Sequence, residues 1–203
     1  MVGVVLGRRG SGKTYLTKTR IVPLLKRPVF ILEAAPEYGS GVVFHSVTDC
    51  AEWIDRFPDR VGDLVALLRV KTVESIEATF DLANQVGGSI VVEEAWRFSS
   101  PSSQLECIKQ CLLFGRHLAA GDGIDLVLIS QRAARLNRDA TSQADWIVSF
   151  RQEEPRDLAY LRERASSADK AATLGKYDYL IIGELPEEWE NSSRCLDKSK
   201  IIA

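Results

Sequence analysis

The strongest constraint on this chain lies at its start, where residues 2–14 read VGVVLGRRGSGKT. A short apolar run leads directly into the pattern G-x-x-x-x-G-K-[ST]. A predicted strand before it and a predicted helix after it are the context expected of a phosphate-binding P-loop. Glycines in such a loop let the backbone curl, so that successive N–H groups point inward at a polyphosphate. The segment therefore predicts a site for a nucleoside triphosphate.

The side chains of this loop have separate expected roles. The Lys13 ammonium would reach the β- and γ-phosphates, and the Thr14 hydroxyl would bind Mg²⁺. Arg8 and Arg9 either contact phosphate or remain solvated. The predicted nucleotide-binding residues are Gly7, Arg8, Arg9, Gly10, Ser11, Gly12, Lys13 and Thr14.

Composition places the 203 residues in the soluble globular class, with 45% hydrophobic and 27% charged residues. We expect a single P-loop domain over residues 1–203, with residues 185–203 as a peripheral tail. No apolar run approaches the roughly 20 residues of a membrane span, and the chain opens on a core strand without a signal peptide. These features predict a cytoplasmic protein.

The four cysteines and two histidines give little support for a zinc site. Cys50, Cys107, Cys111 and Cys195 form no C-x-x-C pair. His45 and His117 lack metal-ligand spacing and are interpreted as structural. Free, buried thiols in a reducing compartment are the expected state.

Charge is unevenly distributed although the net charge is only −2. Residues 1–27 contain seven Lys or Arg and no acid, whereas residues 28–100 contain twelve acids and five bases. The basic start suits anion binding around the P-loop, or it is a solvated helix face.

The apolar pattern alternates between buried strands and amphipathic helices, which predicts an α/β fold with a mainly parallel central sheet. In such sheets ligands bind outside the carboxyl ends of the strands. Residues 99–103 are predicted to be a flexible polar segment and residues 131–137 a basic loop. The predicted strands are 2–6, 29–33, 42–45, 64–70, 89–94, 124–130, 146–150 and 177–183, and the predicted helices are 12–26, 49–57, 73–86, 104–120 and 157–172.

Two adjacent carboxylates follow the apolar strand at residues 89–94. Hydrolysis of a γ-phosphate needs one carboxylate for Mg²⁺ and another to orient or deprotonate the attacking water. Glu93 is predicted to take the first role and Glu94 the second; otherwise they are exposed acids at a strand end.

Gln131 directly follows the strand predicted at residues 124–130, where an amide can hydrogen-bond the γ-phosphate or the attacking water. An arginine is also expected to stabilise charge on the transferred phosphoryl group, across a subunit interface if the protein forms a ring. Arg116 is the first choice. The other candidates are Arg97, Arg132, Arg135 and Arg138. The tryptophans are expected to pack, with Trp96 alternatively lining a channel.

In this order, the segments GRRGSGKT, VFILEAAPEYG, SIVVEEAW and GRH…GIDLVLISQRAARLNRDATSQADWIVSFR resemble the FtsK–HerA superfamily of P-loop ATPases. Within it, they look most like the genome-packaging ATPases of membrane-containing viruses with double-jelly-roll capsids. The resemblance covers about residues 1–165. The family usually has Asp at position 93 and often at position 33, where this chain has Glu.

The resemblance implies a RecA-like core in a ring, usually hexameric, that pumps double-stranded DNA. It implies ATP and Mg²⁺ as cofactors, with Lys13 and Thr14 in contact with the nucleotide and Mg²⁺. It also implies that Glu93 binds Mg²⁺, that Glu94 is the catalytic carboxylate and that Gln131 is the sensor. An arginine such as Arg116 would act in trans. DNA would be held by backbone phosphates, and residues 97–104 and 132–138 are hypothesised to face the pore.

The predicted function is therefore a Mg-dependent ATPase that translocates DNA, most simply a viral genome-packaging motor in the host cytoplasm or the virion. Capsid or portal-vertex proteins are the expected partners. A HerA-like plasmid or cellular translocase, a P-loop small-molecule kinase and a nucleotide-binding switch without hydrolysis are the alternatives.

Overall fold

The computed structural model describes residues 1–190, and its elements follow the expected alternation of strands and helices. The remaining residues, 191–203, include Cys195 and most of the predicted tail, and lie outside the described part. The strands are β1 (Val2–Leu6), β2 (Val29–Leu32), β3 (Val42–Phe44), β4 (Val65–Leu68), β5 (Gly88–Val92), β6 (Ser99–Ser100), β7 (Ser103–Gln104), β8 (Ile124–Ser130), β9 (Trp146–Phe150) and β10 (Tyr179–Gly183). The α-helices are α1 (Lys13–Leu16), α2 (Val47–Arg56), α3 (Val73–Val86), α4 (Glu106–Phe114), α5 (Arg138–Ser142), α6 (Pro155–Arg162) and α7 (Glu187–Glu190).

An eight-stranded sheet forms the centre, with the strand order β10-β9-β1-β8-β5-β2-β4-β3. Among the described pairs of this sheet, β1–β9, β2–β4, β2–β5 and β3–β4 are parallel, and the edge pair β10–β9 is antiparallel. Wholly buried strands such as β1 and β5 are the pattern of parallel sheets covered by helices on both faces. The predicted α/β fold with a mainly parallel central sheet is confirmed.

The described residues divide into two compact units. The first unit contains Met1, Leu25–Glu93 and Leu105–Val127. Its strand β2 pairs with β4 on one side and β5 on the other, and the side chains of β2 are fully buried. Helix α3 begins where the Thr72 hydroxyl accepts a hydrogen bond from the Ser75 amide and ends at Gly87, in which φ is 77°. Capping by threonine and glycine explains why the sequence predicted this helix without error.

The second unit contains Val2–Leu24, Glu94–Gln104 and the chain from Leu128 onward. A Cβ at Gly3 of β1 would stand 2.0 Å from the Trp146 ring, so only glycine leaves room for the indole against this residue. The ring of Trp189 lies 5.6 Å from that of Trp146. Leu185 and Trp189 belong to the first residues of the segment predicted as a peripheral tail, yet both side chains are buried.

The structure differs from the predicted elements in four helical or polar segments. The helix predicted at 12–26 is α-helical only over Lys13–Leu16 and continues as a π-helix, Thr17–Ile21, and a 3₁₀ turn, Val22–Leu24. The helix predicted at 104–120 is α-helical only over Glu106–Phe114, and 3₁₀ turns at Gly115–His117 and Ala119–Gly121 follow. The helix predicted at 157–172 ends at Arg162 and gives way to a 3₁₀ segment, Ser166–Thr173. The polar segment at 99–103 contains the short antiparallel hairpin β6–β7.

No helix within residues 1–190 has the length and apolar character needed to cross a membrane. The same residues contain no group of three His, Cys, Asp or Glu side chains arranged to hold a metal ion. Cys50 and Cys111 are buried free thiols and Cys107 is half-buried.

Candidate functional site

The P-loop follows β1 and has the conformation that its glycines were expected to permit. Gly10 and Gly12 have φ values of 75° and 101°, in the left-handed region that disfavours side chains. A Cβ at Gly7 would stand 2.6 Å from the Ser11 hydroxyl and 2.7 Å from Phe150 Cβ. The Ser11 hydroxyl is buried and has no hydrogen-bond partner among the described residues. These features form a backbone cradle with an unused polar group, as an oxyanion ligand requires.

The cradle is fixed to the carboxyl end of the sheet. The Gly7 amide donates to the Ser130 carbonyl at 3.2 Å, which joins the end of β1 to the end of β8. Lys13 Nζ donates to the Arg8 carbonyl at 3.1 Å, so its ammonium lies over the loop. The exposed Arg8 guanidinium is paired with Glu153. A phosphate at this loop would compete with that carboxylate for Arg8.

Glu94 stands just beyond β5 in a left-handed backbone conformation, with φ 48° and ψ 44°. This conformation is rare for residues other than glycine and is typically found at functional sites. Its carboxylate accepts hydrogen bonds from Gln131 Nε2 at 3.1 and 3.3 Å and from Trp96 Nε1 at 2.5 Å. The structure thus brings Glu94 and Gln131 together in the second unit, which also contains the P-loop.

Trp96 connects Glu94 to the basic loop after β8. Its indole N–H donates to Glu94, and the Arg135 guanidinium lies 5.2 Å from the centroid of its ring. The Trp96 side chain is half-buried in the 3₁₀ turn Ala95–Arg97. The sequence had suggested that this indole only packs. In the structure it instead contacts the Glu94 carboxylate directly.

Gln131 itself is positioned by buried polar groups. The side-chain Nε2 of Gln152, a residue that is 1% exposed, donates to the backbone carbonyl of Gln131 at 3.5 Å. Asp157, wholly buried in α6, accepts from Arg132 Nε at 2.9 Å and from the Ala134 amide at 2.8 Å. A buried carboxylate with two such donors fixes the loop that follows β8.

A pocket of about 360 Å³ joins the P-loop to this glutamine. Its positive side chains are matched by carboxylates, since Arg132 also pairs with Glu154 at 3.6 Å. The residues that line it are Arg8, Arg9, Gln131, Arg132, Gln152, Glu153, Glu154 and Asp157. The P-loop arginines and the predicted sensor therefore face one cavity.

Glu93 lies in the first unit, where its environment is largely buried. Its Oε2 atom accepts a hydrogen bond from the Ala34 amide at 3.3 Å. Burial, and then the Glu93 carboxylate, raises the pKa of the Tyr38 hydroxyl well above its usual 10.0. Glu33 accepts from the Glu37 and Tyr38 amides at 2.7 and 2.8 Å and from Arg69 Nε at 2.8 Å. Glu33 thus shapes the loop after β2.

No family model matches the chain, and no curated protein matches it significantly. Solved structures do resemble it. The genome packaging NTPase B204 from Sulfolobus turreted icosahedral virus 2, in complex with ATP-gammaS, has a TM-score of 0.72 and 26% identity over 89% of this chain and 90% of that one. The DNA-packaging ATPase B204 from Sulfolobus turreted icosahedral virus has a TM-score of 0.60 and 24% identity over 89% and 90%.

A third similar structure is VirB4 of Thermoanaerobacter pseudethanolicus, with a TM-score of 0.53 and 11% identity over 94% of this chain and 91% of that one. At this identity the likeness concerns the fold alone. Together with the P-loop geometry, the likeness to the 26% identical packaging NTPase makes this chain similar to P-loop ATPases of the FtsK–HerA type.

Arg116, the first choice for the arginine that acts in trans, belongs to the first unit, in the 3₁₀ turn Gly115–His117, and its side chain is exposed. The turn is closed by the Leu118 amide, which donates to the Gly115 carbonyl at 3.3 Å. An exposed side chain suits a role in trans, which stays a prediction.

Sequence reasoning missed several residues of this candidate site, namely the donor Trp96 and the buried groups Gln152 and Asp157. Gln152 carried a usable signal, because it is the second residue after β9, near the strand end, as Gln131 is near the end of β8. Asp157 carried none, since an acid in the first turn of a helix is ordinary. The contact of Trp96 with Glu94 depends on the left-handed backbone of Glu94, which no pattern indicates.

Proposed function

We propose that this chain is an ATPase that hydrolyses ATP to move double-stranded DNA, in a viral genome-packaging motor of the host cytoplasm or virion. The observation that carries the proposal is the hydrogen-bonded pair of Glu94 and Gln131, in the same unit as the P-loop. A phosphate cradle alone serves binding, but a carboxylate with an amide beside it serves hydrolysis.

The proposed chemistry is attack of water on the γ-phosphorus. Glu94 accepts the proton of the attacking water, the bond to the β-phosphate oxygen breaks, and ADP leaves with the electron pair. A carboxylate has about four lone-pair positions, and Trp96 and Gln131 supply three recorded contacts. Glu94 therefore keeps capacity to accept a hydrogen bond from water. Lys13 stabilises negative charge on the transferred phosphoryl group.

Oxygen donors are the ligands that Mg²⁺ prefers. The Thr14 hydroxyl lies in the first turn of α1, directly after Lys13, and Glu93 directly follows β5 as a carboxylate of low exposure. We propose that Thr14 holds the ion, and the role of Glu93 on Mg²⁺ through water stays a prediction from the sequence. A bound Mg²⁺ would neutralise charge on the phosphate oxygens.

The proposed DNA contacts are the two arginine-bearing loops at residues 97–104 and 132–138. Hydrogen bonds join these loops: the Asn137 amide donates to the Ser99 carbonyl at 2.9 Å, and Asn137 Nδ2 donates to the Ser100 carbonyl at 3.2 Å. Because Trp96 and Arg135 link them to Glu94, movement of the loops and hydrolysis can be coupled. A ring, proposed as a hexamer with Arg116 acting in trans, would carry these loops around the DNA.

The hydrolysis proposal is tested with Glu94→Gln, which keeps the shape of the side chain and removes the proton acceptor. We expect turnover to fall by at least a hundredfold while ATP binding survives. Glu106→Gln is a matched control, because Glu106 is an exposed glutamate at the start of α4. Lys13→Ala should abolish both binding and turnover, and unimpaired hydrolysis in this variant would overturn the assignment.

The motor proposal is tested by the ATPase rate with and without double-stranded DNA, at several protein concentrations and salt concentrations. A ring motor predicts stimulation by DNA that weakens steeply with salt and a specific rate that rises with protein concentration. A rate that ignores both DNA and concentration would favour the small-molecule kinase. A chain that binds ATP without turnover would favour the switch.

A further inference from the structure

A second pocket, of about 430 Å³, borders the P-loop and does not include Gln131 in its lining. Its volume lies within the range of small-molecule sites, roughly 300–1,000 Å³. The P-loop contributes Gly10 and Ser11 to its lining, and the chain around β9 and β10 contributes Phe150, Lys176 and Tyr177. A triphosphate held in the cradle must direct its ribose and base outward, and this pocket borders the cradle.

Tyr177 is the exposed aromatic surface of this pocket. Its side chain is 58% exposed, although a large ring in the turn before a strand would ordinarily pack. The backbone of Tyr177 is left-handed, with φ 69°, which is unusual for a bulky residue and is typical of ligand sites. The exposed ring therefore needs a reason beyond packing.

Contacts hold the Tyr177 ring beside the P-loop. A Cβ at Gly12 would stand 3.4 Å from Tyr177 Cδ1 and 3.5 Å from Phe150 Cε1, so both rings border the glycine that precedes Lys13. The Lys176 ammonium lies 4.9 Å from the centroid of the Tyr177 ring. The Asp178 amide donates to the Gly175 carbonyl at 3.2 Å and closes the turn. Phe150 is 2% exposed and forms the wall behind the loop.

We propose that the nucleobase of the bound nucleotide stacks on Tyr177, in the pocket between the P-loop and the turn at residues 175–178. This inference rests on the proposed function, because it places the rest of the same nucleotide. Stacking uses the π face that every base has, so the contact supports binding of ATP and GTP alike. The polyphosphate tail supplies the remaining affinity through the cradle.

The test compares the dissociation constants of ATP, GTP and inorganic tripolyphosphate, measured by calorimetry on the full chain and its variants. Removal of one stacked aromatic ring typically weakens binding about five- to a hundredfold. Tyr177→Ala should therefore weaken ATP and GTP by at least about fivefold and leave tripolyphosphate unchanged. Tyr177→Phe keeps the ring and should bind like the wild type.

Phe114→Ala is the matched control, because Phe114 is also an exposed aromatic residue, at 48%, and is not among the residues lining this pocket. It should leave all three constants unchanged. If Tyr177→Ala binds ATP as tightly as the wild type, the base lies elsewhere and the inference fails while the proposed function stands. If the wild type binds neither ATP nor tripolyphosphate, the proposed function fails as well.

Discussion

At the scale of single residues, Glu94 combines a disfavoured backbone with a carboxylate that accepts several hydrogen bonds. Its φ of 48° lies in a region that costs an L-residue about 1–2 kcal/mol. The side chain nonetheless accepts hydrogen bonds from both Trp96 and Gln131. The neighbouring Glu93 has no positive φ and lies in the first unit. The side chains of Glu93 and Glu94, although adjacent in sequence, therefore belong to different compact units and have different hydrogen-bond partners.

The backbone of Glu94 predicts a difference between two variants that both lack the carboxylate. Glu94→Gly should be more stable than Glu94→Ala by about 1 kcal/mol, because glycine enters the left-handed region without the clash of a Cβ atom. Urea unfolding of the two proteins measures this difference. Equal stability, or greater stability of the alanine variant, would mean that Glu94 leaves this conformation once its side chain is removed.

Trp96 is expected to act as a positioning residue for Glu94. Trp96→Phe keeps a ring near Arg135 but removes the N–H that donates to the carboxylate. Because hydrogen bonds to charged groups contribute about 1.5–3 kcal/mol, we expect kcat to fall about tenfold or more while KM for ATP changes little.

The control for that experiment is Trp53→Phe, since Trp53 packs between Phe44 and Phe57 in the first unit. Steady-state ATPase measurements on both variants separate the two roles. A Trp96→Phe enzyme with unchanged kcat, or with a loss confined to KM, would show that the indole N–H does not position Glu94.

At the scale of elements, α6 holds the loop after β8 through one buried acid. Asp157 is 0% exposed and accepts from Arg132 and from the Ala134 amide, whereas Asp169 pairs with Arg162 at the surface. Removal of a buried carboxylate leaves its hydrogen-bond donors without a partner, which is costly. Removal of an exposed carboxylate leaves its former donors hydrated by water, which costs little.

We therefore expect Asp157→Ala to lower the free energy of unfolding by about 2–4 kcal/mol and Asp169→Ala by less than about 0.5 kcal/mol. Thermal and urea unfolding of both variants measure these effects. Comparable losses in the two proteins would contradict the assignment of Asp157 as the residue that fixes the loop.

The elements also explain where sequence reasoning about helices failed. Helix α3 agrees with its prediction because Thr72 and Gly87 are local caps. The helix predicted at 104–120 ends early, because Gly115 lies close to β8: a Cβ there would stand 3.1 Å from the Ile124 carbonyl. Ala119 and Ala120 then take φ values of 50° and 55°, which end any helix. Contacts distant in sequence decide such breaks.

At the scale of the whole molecule, burial makes three cysteine thiols and one tyrosine hydroxyl harder to deprotonate in the folded chain. Burial raises the pKa of Cys50 and of Cys111 from 9.0 to about 12, and that of the half-buried Cys107 to about 11. The pKa of Tyr38 is also raised. Above about pH 9 the unfolded chain releases thiol protons that the folded chain retains.

Stability should therefore be unaffected by these thiols below pH 9 and should fall as the pH rises from 9 towards 12. Each thiol contributes a loss of up to about 1.4 kcal/mol per pH unit. Urea midpoints at pH 7, 9 and 10 measure the decline. Cys50→Ala should decline less steeply than the wild type between pH 9 and 10, and an identical slope would contradict the buried state of this thiol.

The sequence by itself determined the P-loop, the alternation of buried strands and helices, and the carboxyl-end positions of Glu94 and Gln131. Each of these follows from local spacing, since glycines, apolar periods and caps act within a few residues. Only the tertiary structure decided that Gln131 and Trp96 donate to one carboxylate, that Asp157 fixes the loop after β8, and that Tyr177 stands beside Gly12. Those contacts join residues far apart in the chain, and their geometry depends on strand order and on strained backbones that packing alone maintains.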